Sequence, residues 1–152
     1  MNVEQNLIKR IEKLEQARKV GKQRLSDEIR VQQATADTFT WVTQHTKTYN
    51  EHWFKEGRPC PEEPFPPYEY FRHVFDTMDL GRIIWFEKSR DMMLSWACVA
   101  YLLLRAMKTP YYGVLVQTQK DKKVVQLIDY AKHLYRNSDP IIRAAHPLAK
   151  PL

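Results

Sequence analysis

Residues 82–96 read Arg-Ile-Ile-Trp-Phe-Glu-Lys-Ser-Arg-Asp-Met-Met-Leu-Ser-Trp, and the fold turns on how that stretch divides. Its first part, Arg82–Phe86, is a short β-branched and aromatic run, the composition of a buried strand. Glu87–Leu94 then reads as a loop, and Ser95 opens an apolar stretch that predicts a helix to about Met107. Thr109-Pro110 stops that helix, because proline offers no N–H and crowds the preceding turn. Gly113–Gln117 reads as a second strand. Asp121 is placed to cap a last helix through Tyr135, apolar at Val124, Val125, Leu127, Ile128, Ala131 and Leu134. Strand, loop, helix, strand, helix predicts an α/β fold, the start of a parallel sheet. Two parallel strands cannot cover their own faces, so the chain reads as the opening of a larger sheet.

Upstream, the pattern is helical. Asn2 to about Gln33 reads as an amphipathic helix with Leu7, Ile11 and Leu14 in register, then Val20, Leu25 and Ile29 less regularly. Three apolar positions in register do not establish a coiled coil, and Gly21 weakens the middle. A second helix is expected over Asp37–Phe54, with Asp37 as N-cap. Pro59, Pro61, Pro64, Pro66 and Pro67 make the next stretch an extended connector, and Tyr68–Met78 a short aromatic helix. The expected organisation is a helical N-terminal extension over 1–57, a Pro-rich connector over 58–67 and a partial P-loop-type domain over 68–152.

Charge is unevenly spread. Residues 1–30 hold eight Lys/Arg against five Asp/Glu, 31–100 seven against ten, and 101–152 nine against three, so the two ends suit a polyanionic partner. Solvated surface charge is the plain alternative. Two separated cysteines, Cys60 and Cys98, argue against a disulfide scaffold or a zinc ribbon and suit a reducing compartment. Trp96–Leu104, nine apolar residues, falls well short of the ~20 needed to span a bilayer.

The chemistry concentrates between the first expected strand and the helix at Ser95. A helix N-terminus presents unpaired N–H groups and the positive end of a dipole, which attract phosphate. Two cations, Lys88 and Arg90, and the hydroxyl of Ser95 fall there. The regular GxxxxGK[ST] pattern is absent, with Leu94 where its lysine would stand. The histidines at 45, 52, 73, 133 and 146 have no metal-ligand spacing, and no nucleophile elbow is present.

Lys88-Ser89-Arg90-Asp91-Met92-Met93-Leu94-Ser95-Trp96 resembles the deviant Walker A motif of phage terminase large subunits, commonly Lys-Ser-Arg-Gln/Glu-Met-Met-x-Ser/Thr-Trp. Thr46–Trp53 and Glu63–Pro66 upstream, and Leu115–Lys120 and Ala131–Tyr135 downstream, are similar to the flanking segments of the same family. The resemblance covers about residues 37–140. It implies an ATP hydrolase that drives double-stranded DNA into procapsids in the host cytoplasm. Its partners would be a portal protein and a small terminase subunit, and the parent protein would form a homo-oligomeric ring. It implies a nucleotide site over Lys88, Ser89, Arg90, Asp91, Met92, Met93, Leu94 and Ser95, with ATP and Mg²⁺ as ligands. Lys88 would face the phosphates, Arg90 would be the catalytic residue meeting the γ-phosphate, and Ser95 would ligate Mg²⁺. Met93 departs from the glycine of many relatives, and Asp91 adds an anion near the phosphates. No Walker B strand or nuclease carboxylate cluster is present, so nucleotide binding without motor-like hydrolysis is expected of this chain.

Tyr68, Tyr70 and Phe71 stand where related motors hold adenine, though an aromatic cluster is more often core. Gln117 and Gln119 follow the second expected strand. Lys120, Lys122 and Lys123 gather at a helix start, where cations oppose the dipole. A second reading stays open on the residues alone: a basic helical nucleic-acid-binding or adaptor module with no nucleotide site.

Overall fold

The computed structural model describes residues 3–50, 52–81, 83–88 and 92–147. Its elements, in chain order, are α1 (Val3–Ala34), α2 (Thr38–His45), β1 (Lys47–Tyr49), β2 (Glu62–Pro64), α3 (Tyr70–Asp79), α4 (Leu94–Lys108), α5 (Asp121–Arg136) and α6 (Pro140–Ala145). The chain forms two compact units, Met1–Gln33 and Ala34–Leu152. The first is the helix α1, whose described side chains from 9 to 30 are exposed apart from the half-buried Asp27.

The second unit has a core made by short helices. Trp41 and Val42 of α2, Phe71 and Phe75 of α3, Ala97, Ala100 and Leu104 of α4, Leu134 of α5 and Ile142 of α6 join Phe65 in one cluster. Trp41, Phe65, Phe71, Leu134 and Ile142 are among its largest fully buried side chains. Each such burial stabilises the fold by about 1.5–3 kcal/mol relative to exposure. Asp37 caps α2 as its sequence position suggests: one carboxylate oxygen accepts the Thr40 N–H at 2.8 Å and the other its hydroxyl at 2.7 Å. At the far end of α2, His45 Nδ1 lies 2.7 Å from the Asp139 carboxylate, and the Asp139 N–H donates to the His45 carbonyl. That contact ties α2 to the start of α6.

The parallel sheet expected from the sequence is overturned. Among the described residues the only sheet is a two-stranded antiparallel pair, β1 with β2, in the register Lys47–Pro64, Thr48–Glu63 and Tyr49–Glu62. Of the first expected strand, Ile83–Phe86 is non-helical and unpaired (Arg82 lies outside the described residues), and Gly113–Gln117 is unpaired likewise. The reason is what strand propensity measures. β-Branched and aromatic residues favour strands because they pack on a pleated, half-buried surface, not because the backbone itself prefers extension. Here that surface is missing: Ile83 is 105% exposed, Trp85 93% and Leu115 91%. Period two survives in part, since Val114 and Val116 turn toward an apolar groove of about 240 Å³ beside Leu103 and Leu127 while Leu115 points away.

The observed pair was hidden in segments read otherwise. The helix expected to Phe54 stops at His45, and Thr46-Lys47-Thr48-Tyr49 runs extended instead. Its partner lies in the Pro-rich connector, where Pro64 is tolerated because a two-stranded sheet is all edge. Asp121 is likewise not a cap: Lys120 holds that position without a side-chain cap, and Asp121 sits in the first turn of α5, where its charge suits the dipole. No helix among the described residues is long and apolar enough to cross a membrane.

Candidate functional site

The first turn of α4 opens onto a cleft of about 820 Å³. Lys88, Met93, Leu94 and Ser95 line it from the loop and helix start, Tyr49 and Tyr68 from the preceding segments, and Thr118, Lys123 and Tyr130 from the other side. The helix start is built from below. Trp96 is buried and stacks on Tyr130 at 3.9 Å between centroids, with Tyr49 edge-on at 6.1 Å, so α4 is rooted one residue past Ser95. Above, the Tyr70 hydroxyl donates to the Met92 carbonyl at 2.7 Å and pins the loop. Burial, and then the neighbouring Tyr68, push the Tyr70 phenol above its ordinary value.

The N-cap of α4 is Met93, with φ 50 and ψ 18, and its side chain caps nothing. A left-handed conformation at a non-glycine residue costs about 1–2 kcal/mol, and such strain gathers at sites of function. Ser95 is exposed at this turn, and no acidic residue occupies it. The cleft therefore has the positive end of a helix dipole and Ser95 on one wall, with Lys88 and Lys123 also among its lining residues. Lys123 Nζ donates to Gln126 Oε1 at 3.1 Å, and the Gln126 amide to the Tyr130 hydroxyl at 2.8 Å. Two carboxylates also line the cleft, but Arg58 ion-pairs with both, with Glu56 at 2.8 Å and with Glu63. Asn50 Nδ2 donates to Glu56 as well, at 2.9 Å.

Of the sequence-derived site, Lys88, Met93, Leu94 and Ser95 come together here, whereas Met92 is not part of the cleft lining and its carbonyl accepts from Tyr70. Ser89, Arg90 and Asp91 lie outside the described residues. The aromatic trio divides: Phe71 is fully buried core, whereas Tyr68 is half-exposed at the cleft and stacks on Tyr70 at 5.6 Å. Lys120 and Lys122 are exposed away from the cleft lining, and Thr118, not Gln117 or Gln119, reaches it. Tyr49, Asn50, Glu56 and Glu63 were not read as site residues. They arrive through the β1–β2 pairing, which no local pattern announced. Among the described residues, no three His, Cys, Asp or Glu side chains gather to hold a metal. No family model, curated protein or solved structure matches the chain.

Proposed function

We propose that the cleft at the start of α4 binds the polyphosphate of a nucleotide, and that the chain is the front portion of a phage terminase large subunit, a packaging ATPase acting on double-stranded DNA in the host cytoplasm. The observation that supports this best is the convergence of Lys88, Ser95 and Tyr68 on one cleft at a helix N-terminus. Lys88 and Ser95 were singled out by their motif, and Tyr68, far from them in sequence, by its place before it. The proposal rests on this cleft and the loop motif, and on no parallel sheet.

The chemistry asked of the residues is electrostatic. Lys88 and the α4 dipole offset the charge of β,γ-phosphate oxygens, the interaction on which phosphoryl transfer chiefly depends. Arg90, on the family resemblance, meets the terminal phosphate. Magnesium fits the donor set in one way: with no carboxylate cage among the described residues, the Ser95 hydroxyl would hold it together with the nucleotide's own oxygens. When bound, the ion neutralises phosphate charge. Tyr68 offers a face for the base. Glu56 and Glu63 are held by Arg58 and are poorly placed to orient water, so binding without motor-like turnover is expected.

Ser95→Ala separates the roles. ATP affinity without Mg²⁺ should stay near wild type, while the gain that Mg²⁺ confers should shrink, read by titration calorimetry in the two conditions. An unaltered Mg²⁺ gain would remove Ser95 from the site.

A further inference from the structure

Four of the five exposed large apolar side chains described in the first unit form a line, and Val20 lies on the opposite face. Ile11, Leu14, Leu25 and Ile29 are all exposed, Leu14 by 70%. At about 100° per residue they fall within about 60° of one another around α1. The spacing 11, 14, 18, 21, 25 alternates three and four, and the sequence continues it back to Leu7. That is a heptad seam with Ile11, Arg18 and Leu25 at a positions and Leu14 and Gly21 at d positions; Glu28 takes the next d position and Ile29 flanks the seam at e. Most helical stability in proteins comes from packing an amphipathic face, and Gly21 weakens the middle of this helix.

We propose that α1 pairs with α1 of a second copy of this chain as a parallel two-stranded coiled coil. Three features select that occupant. β-Branched Ile11 at a with Leu14 at d favours two parallel strands over higher assemblies. The flanks are complementary in this arrangement only: Arg10 at g faces Glu15 at e of the other copy, and the symmetry repeats the pair. An antiparallel pairing centred on the same seam instead sets Glu15 near Glu15 and Arg10 near Arg24, like charge against like. Nucleic acid is disfavoured as the occupant because the cations of α1 show no basic face: Lys9, Lys13, Arg18, Lys19 and Arg30 point all around the circumference. Arg18 and Gly21 weaken the middle of the seam, so the dimer is concentration-dependent, with only the aliphatic stem of Arg18 contributing apolar contact.

The test is sedimentation equilibrium of the full chain from roughly 1 to 500 µM, the range in which a weak dimer populates. Wild type should shift from monomer to dimer, and Leu14→Asp should stay monomeric with the thermal unfolding of residues 34–152 unchanged. Glu15→Arg should weaken the dimer by roughly 2- to 10-fold and Arg10→Glu with Glu15→Arg should restore it, a rescue that helix loss alone cannot give. Gly21→Cys should cross-link the two copies through the introduced thiols under mild oxidation, as parallel strands require. A wild-type chain monomeric throughout, a Leu14→Asp chain that dimerises like wild type, or a charge swap without rescue overturns the proposal.

Discussion

Met93 carries the conflict between local sequence and site geometry. Its left-handed backbone turns the chain into α4, a conformation that glycine adopts freely and methionine does not. Met93→Ile keeps the apolar volume but adds a branch at Cβ, which positive φ disfavours strongly. It should therefore destabilise the fold beyond what methionine already costs there, and by more than Met93→Leu does; urea denaturation of the two variants measures the difference. Tyr101 offers a second residue-scale check. Burial first, then the Asp79 carboxylate accepting its hydroxyl at 2.9 Å, push its phenol above 10.0, against a smaller opposing pull from Arg105. A folded value above the unfolded one makes this contribution to stability complete below pH 10 and lost as pH rises through the folded value. Unfolding midpoints should therefore fall above about pH 10, and Tyr101→Phe should remove part of that slope.

Among the elements, helices were legible and strand pairing was not. α3, α4 and α5 fall close to their expected bounds because a 3.6-residue apolar period and proline or glycine stops act locally. α6 was overlooked, though Pro140 at its first turn after Asp139 was a signal that could have found it. Sheet pairing depends on a partner distant in sequence. Ile83–Phe86 looked like a strand without one, and Glu62–Pro64 became one despite its proline because Lys47–Tyr49 lay beside it. The candidate site was half legible for the same reason: the loop motif is local, while the wall from Tyr49 to Glu63 is set by pairing. α1 permits an element-scale prediction. Gly21 has a helical backbone, and a Cβ there would meet nothing within 4 Å. Gly21→Ala should stabilise α1 by about 0.8–1.0 kcal/mol, seen as stronger ellipticity at 222 nm and slower amide exchange around residue 21.

At the scale of the whole molecule, the second unit brings Lys88 and two aromatic-bearing segments to one helix N-terminus, with no parallel sheet among the described residues. If that convergence is a nucleotide site, charge at one place must matter more than charge in general. The most direct measurement is Mg·ATP affinity by titration calorimetry for wild type, Lys88→Ala and Lys122→Ala. Lys88 lines the cleft, and Lys122 is exposed outside its lining. Lys88→Ala should weaken binding by about 1.5–3 kcal/mol, the scale of a charge-assisted contact, and Lys122→Ala should leave it unchanged. Equal losses from both variants, or no binding by wild type, would contradict the account.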